Sequence, residues 1–105
     1  MITTTTNSIE GRPVQQYLGI VSSEVIIGAN IFKDLFAGLR DITGGRSSTY
    51  EKVIEEARTS AMNELIQKAQ SIGATAIIGI DLDFETIGAS GSMLMVMATG
   101  TAVRI

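Results

Sequence analysis

The chain has 105 residues, a length that suits one domain with a thin core. Apolar residues make up 45% and charged residues 18%, and the net charge is −3 with no basic run. That balance offers neither an electrostatic footprint for nucleic acid nor the basic amphipathic face of a membrane-surface protein. The absence of cysteine and histidine excludes disulfides, thiol nucleophiles, Ser-His and Cys-His dyads and the standard structural zinc sites.

The start Met1-Ile2-Thr3-Thr4 lacks a basic n-region and an apolar h-region, so no signal peptide is read. No apolar run approaches the ~20 residues needed to span a bilayer, and a cytoplasmic protein is expected. Ile2 to Thr6 is a short β-branched run that predicts an edge strand. Asn7 to Pro13, with Gly11 and the single proline, predicts a turn. Val14 to Ile27 then reads as a long strand. Val14, Leu18, Ile20 and Ile26 are expected on one face, Tyr17, Val21, Val25 and Ile27 on the other, with a bend or bulge at Gly19 or Ser22-Ser23. Asn30 is a candidate N-cap for a short helix whose apolar positions are Ile31, Leu35, Phe36, Leu39 and Ile42, stopped by Gly44-Gly45.

Ser48-Thr49-Tyr50-Glu51 has the S-x-x-E form of a capping box. Behind it Tyr50, Val53, Ile54, Ala57, Ala61, Leu65, Ala69 and Ile72 recur at helical spacing. Gly73 is placed to end that helix, giving about 24 residues or ~36 Å. Thr75 to Glu85 alternates as a strand, with Ala76, Ile78, Ile80, Leu82 and Phe84 on one face and Ile77, Gly79, Asp81, Asp83 and Glu85 on the other. A glycine-containing turn follows over Ile87 to Gly91, and Ser92 to Ile105 is the last strand. Its two faces carry Met93, Met95, Met97, Thr99, Thr101, Val103 and Leu94, Val96, Ala98, Gly100, Ala102. The order of strands and helices predicts a single α+β domain over residues 1–105: an antiparallel sheet packed on one long helix, with a short extra helix.

The last strand is apolar on both faces and the long strand nearly so, whereas a sheet with one wet face should alternate. One long helix covers one face only. Burying a large apolar side chain contributes ~1.5–3 kcal/mol, so three exposed methionines forgo roughly 5–9 kcal/mol. That rivals the ~5–15 kcal/mol stability of a whole domain. A neighbouring subunit is the expected cover, hence a homo-oligomer.

Three constellations carry candidate chemistry. Met93, Met95 and Met97 offer thioethers to a soft metal ion, but same-face neighbours on a strand lie ~7 Å apart. Several subunits would have to bring the sulfurs together, and filling an irregular interface is the plainer use of methionine. Asp81, Asp83 and Glu85 offer oxygens to a hard ion, or simply form a solvated face. Arg40, Asp41, Gly44, Gly45, Arg46 and Ser47, just ahead of Tyr50 and Glu51, combine close-approach glycines, guanidiniums and a helix start that could hold a small anion. The G-x-x-x-x-G-K-[ST] of a P-loop is absent. The same arginines, with Asp41, Glu51 and Arg58, could instead lock subunits together. Tyr50, Glu51, Glu24, Asp41 and the arginines are the polar groups that could converge for catalysis, yet nothing orders a nucleophile beside a base.

The chain resembles the YbjQ-like family over nearly its whole length. The resemblance runs through Gly19-Ile20-Val21, Gly28-Ala29-Asn30, Arg40-Asp41 with Gly44-Gly45-Arg46-Ser47, Tyr50-Glu51, Ala57-Arg58, Gly73-Ala74, Gly79-Ile80-Asp81 and Gly100-Thr101-Ala102-Val103. It implies a dodecin-subunit-like α+β fold assembled as a ring, a homopentamer, and the family label implies a heavy-metal role. Lacking Cys and His, this chain departs from what that label would want, which puts a thiolate or imidazole site out of reach. The expectation is a non-enzymatic ring-forming protein that binds a metal ion or small ligand at or between subunits. The alternatives are a bare oligomeric scaffold and an enzyme acting on a small anion. The partner expected is the chain itself, with neither nucleic acid nor membrane.

Overall fold

Among the described residues five elements follow in the order β1 (Ile2–Thr3), β2 (Gln16–Ile27), α1 (Ser48–Ser71), β3 (Ala76–Ile87) and β4 (Met93–Arg104). The structure, a computed structural model, describes residues 1–28, 48–88 and 93–105, with the backbone alone for 48–50. The short helix expected over Ile31 to Ile42, its glycine stop and the turn at 89–91 lie outside the described residues.

Helix α1 has the 24 residues that its apolar spacing predicts. Ala57, Ala61, Leu65 and Ala69 are buried along one stripe, flanked by the partly buried Val53, Ile54, Met62 and Ile66. The C-terminus closes as a Schellman motif. The Ala74 N–H donates to the Ala69 carbonyl at 3.0 Å and the Gly73 N–H to that of Gln70 at 3.0 Å, with Gly73 at φ 86°. Ile72 falls beyond the last helical residue and is 47% exposed, so the apolar stripe ends one turn earlier than its spacing suggests.

The sheet runs β1-β3-β4-β2. Both long partners of β4 are antiparallel to it, whereas β1 joins β3 in parallel, so the sheet is mixed rather than purely antiparallel. The chain reaches β2 from β1 through an N-terminal segment turned by the Arg12 N–H to Ile9 carbonyl bond. Ile9 and Val14 of that segment, with Ile105, cover Ala76, Ile78 and Val103 on the sheet face away from the helix.

Two bulges decide which side chains meet the helix. Register slips between Tyr17 and Gly19 on β2, and between Ile78 and Asp81 on β3. Each bulge holds a glycine at positive φ, Gly19 at 121° and Gly79 at 62°, where a side chain would be strained. Each also inverts the strand's parity. Leu18 therefore joins Val21, Val25 and Ile27 at the helix, and Tyr17 is left 69% exposed, the reverse of simple alternation. On β3, Ile77 joins Ile80 and Leu82 beneath the helix, while Ala76 and Ile78 face away. β4 carries no bulge relative to its own alternation: Leu94, Val96, Ala98, Gly100 and Ala102 are all buried on the helix side, as expected.

Candidate functional site

The face of the sheet opposite α1 divides in two. At one end the N-terminal segment covers it; at the other, Met93, Met95 and Met97 stand half-buried on β4. The alternation of β4 sets them side by side at ~7 Å intervals, and pairing register supplies their neighbours. Met95 lies between Ile26 of β2 and Glu85 of β3, Met97 between Glu24 and Asp83, and Thr99 between Ser22 and Asp81. Directly opposed Cβ atoms in such pairs are ~4.5–5.5 Å apart. The result is a thioether row down the middle strand with carboxylates on both sides.

The carboxylates crowd one another. The Asp83 carboxyl is held above its ordinary value of 3.8, first by a hydrogen bond with Asp81, then by the Asp81 charge, partial desolvation and the Glu85 charge. Among the described residues no three Asp or Glu side chains converge around one point as a closed ion site would require. Within one subunit the donors form a strip, not a cage.

Sequence reasoning singled out the methionines and the Asp81, Asp83, Glu85 row separately, and the structure brings them together. It missed Glu24 and Ile26 as their flanking partners, because the residues opposite each other across a ladder are set by register, which the bulges shift. Arg40, Asp41, Gly44, Gly45, Arg46 and Ser47 lie outside the described residues, as does the Tyr50 side chain. Glu51 and Arg58 are exposed on α1. Seven residues apart, they share one outward stripe with ~10.5 Å of rise between them.

Two hollows lie on the described surface. One of about 480 Å³ lies along the outer side of α1, lined by Lys52, Glu55, Glu56, Thr59 and Ser60. The other, about 360 Å³, sits at the β2 edge among Ser22, Ser23, Glu24, Glu64 and Lys68. There the Lys68 ammonium donates to the Ser22 carbonyl at 2.7 Å and pairs with Glu64 at 3.4 Å. No helix among the described residues is long and apolar enough to cross a membrane.

The fold is similar to that of a crystal structure from Pediococcus pentosaceus ATCC 25745, described as a protein with unknown function of the DUF74 family. The TM-score is 0.62 at 18% identity, covering 100% of this chain and 97% of that one. At that identity the likeness concerns the fold. A family model described as "Putative heavy-metal-binding" matches residues 1–105. The chain, with its four-stranded mixed sheet on one helix, therefore belongs to the YbjQ-like family.

Proposed function

We propose that the protein is a non-enzymatic, ring-forming homo-oligomer, a pentamer, that holds a soft metal ion where the methionine-bearing sheet faces of its subunits meet. One observation carries the reading: Met93, Met95 and Met97 stand half-buried in a row, flanked in register by Glu24, Asp83 and Glu85. Thioethers select soft ions such as Cu(I), and carboxylates offset the charge. The family description as heavy-metal-binding supports the same chemistry. Since the sulfurs of one strand are ~7 Å apart, the ligands of one ion come from more than one subunit, which makes assembly part of the function.

The test is metal analysis of protein prepared without chelator and loaded with Cu(I), alongside Met95→Leu, a substitution that preserves apolar volume. The wild type is expected to retain copper through desalting and the variant to lose at least half of it. Copper-free wild type after loading refutes the thioether site; equal copper in both proteins moves it away from Met95.

A further inference from the structure

The chain's methionines fall into three environments. Met1 stands at the terminus and is 45% exposed. Met62 lies on α1 and packs against the core beneath the helix. Met93, Met95 and Met97 are half-buried on β4, yet neither apolar cluster of the described residues includes them, as a buried member or as a side chain packed against it. Ile87 is opposite Met93 across the ladder, Ile26 and Glu85 are opposite Met95, and Glu24 and Asp83 are opposite Met97. Part of each thioether in the row reaches solvent, and the row belongs to neither described core. Its polarity can therefore change while both cores stay packed.

We infer that Met93, Met95 and Met97 form a redox switch: an uncharged hydroperoxide oxidises the row to sulfoxides, and the oxidised row releases its soft metal ion. The release rests on the metal-binding reading, whereas the oxidation does not. In each step a sulfur lone pair attacks one peroxide oxygen. The S–O bond forms as the O–O bond breaks, and a proton moves through water to the departing oxygen. The sulfur loses two electrons, and the hydroperoxide is reduced to water or an alcohol. Oxygen transfer takes up lone-pair density that a soft ion would share, and it sets a hard oxygen donor in place of a soft sulfur. Metal and oxidant compete for the same atoms.

Charge selects the oxidant. Glu24, Asp83 and Glu85 stand opposite the row at Cβ separations of ~4.5–5.5 Å, so anionic oxidants meet repulsion that an uncharged hydroperoxide does not. Those carboxylates also draw water to the row, and water can hydrogen-bond the new sulfoxide oxygens. Met62 gives the contrast, because a sulfoxide there would press a polar oxygen against the helix-side core and lower stability.

The test treats metal-free full chain with graded hydrogen peroxide, removes the peroxide and locates each added oxygen by peptide mass mapping. Far-UV circular dichroism and Tm then report the fold, and Cu(I) retained through desalting reports the site. Met93, Met95 and Met97 are expected to gain oxygen before Met62 does, with the melt unchanged and Cu(I) retention falling below half. Methionine sulfoxide reductases should restore it. Met62→Leu should respond to peroxide as the wild type does; copper loss that vanishes in that variant would trace the effect to core damage and overturn the switch. A fully oxidised row that still retains Cu(I) would overturn it too, while leaving the metal site standing. A row that stays unmodified as Met62 gains oxygen would show that the oxidant cannot reach it. Untreated protein that holds no Cu(I) would instead remove the metal-binding reading, and the switch with it.

Discussion

Gly100 sits where β4 passes under the β3 bulge. A Cβ built there would lie 2.6 Å from Ile77 Cγ2, 3.2 Å from Ile80 Cγ1 and 3.4 Å from the Ile78 carbonyl oxygen. Ile77 is fully buried and β-branched, so its methyl has no free rotamer to retreat into. Gly100→Ala is therefore expected to destabilise the fold by ~1–3 kcal/mol through overpacking, read as a lower urea midpoint at unchanged slope. An unaffected midpoint would mean that the bulge relaxes freely. Ser23 is the other residue whose role emerges only in three dimensions. Its hydroxyl, 1% exposed, donates to the Ala61 carbonyl at 2.6 Å and ties β2 to the helix. The sequence shows Ser22-Ser23 as a polar pair in an apolar strand, which reads as a bend; the partner that justifies burying a hydroxyl lies 38 positions away.

At the scale of elements, the acidic row on β3 gives the clearest pH dependence. A carboxyl whose folded pKa lies above its ordinary value binds its proton more tightly folded than unfolded. Its ionisation subtracts stability above the folded pKa, and the penalty vanishes as pH falls below the ordinary 3.8. Asp83→Asn keeps a hydrogen-bonding partner for Asp81 and removes one charge from the row. Thermal melts should show a higher Tm than wild type at pH 7, with the difference shrinking toward zero near pH 3.5, just under that ordinary value. A gain of equal size at both pH values would trace the effect to packing rather than charge. Element types and lengths were legible because α1 and β4 keep one unbroken period each. The inward faces of β2 and β3 were not, since a bulge adds one residue and exchanges faces on either side of it. Gly19 marked the first as a candidate. Gly79 gave no such warning, because it stood on what simple alternation makes the polar face, where a glycine is unremarkable. The methionine and carboxylate rows were each visible in the sequence; their adjacency required the ladder. The Arg40 to Ser47 cluster lies outside the described residues.

For the whole molecule the decisive quantity is the apolar surface a lone subunit leaves in water. The helix covers one sheet face and the N-terminal segment part of the other, where Ile20, Ile26 and Tyr17 remain exposed on the face that carries the half-buried methionine row; Phe84 is exposed on the helix side. If subunits cover one another, folding and assembly share one equilibrium, and mass action ties apparent stability to protein concentration. Unfolding a closed pentamer releases five chains, so each tenfold concentration step adds four-fifths of RT ln 10, about 1.1 kcal/mol per subunit. For a domain of this size that corresponds to roughly 4–8 °C in Tm. Melts across a hundredfold dilution series should therefore climb steadily with concentration, and Ile20→Lys, which puts a charge where the lone subunit exposes apolar surface, should flatten the slope. A Tm independent of concentration together with a single-subunit mass would show that the exposed strip is tolerated by the isolated chain. The metal-binding reading would then have to stand on donors that one strand cannot bring together.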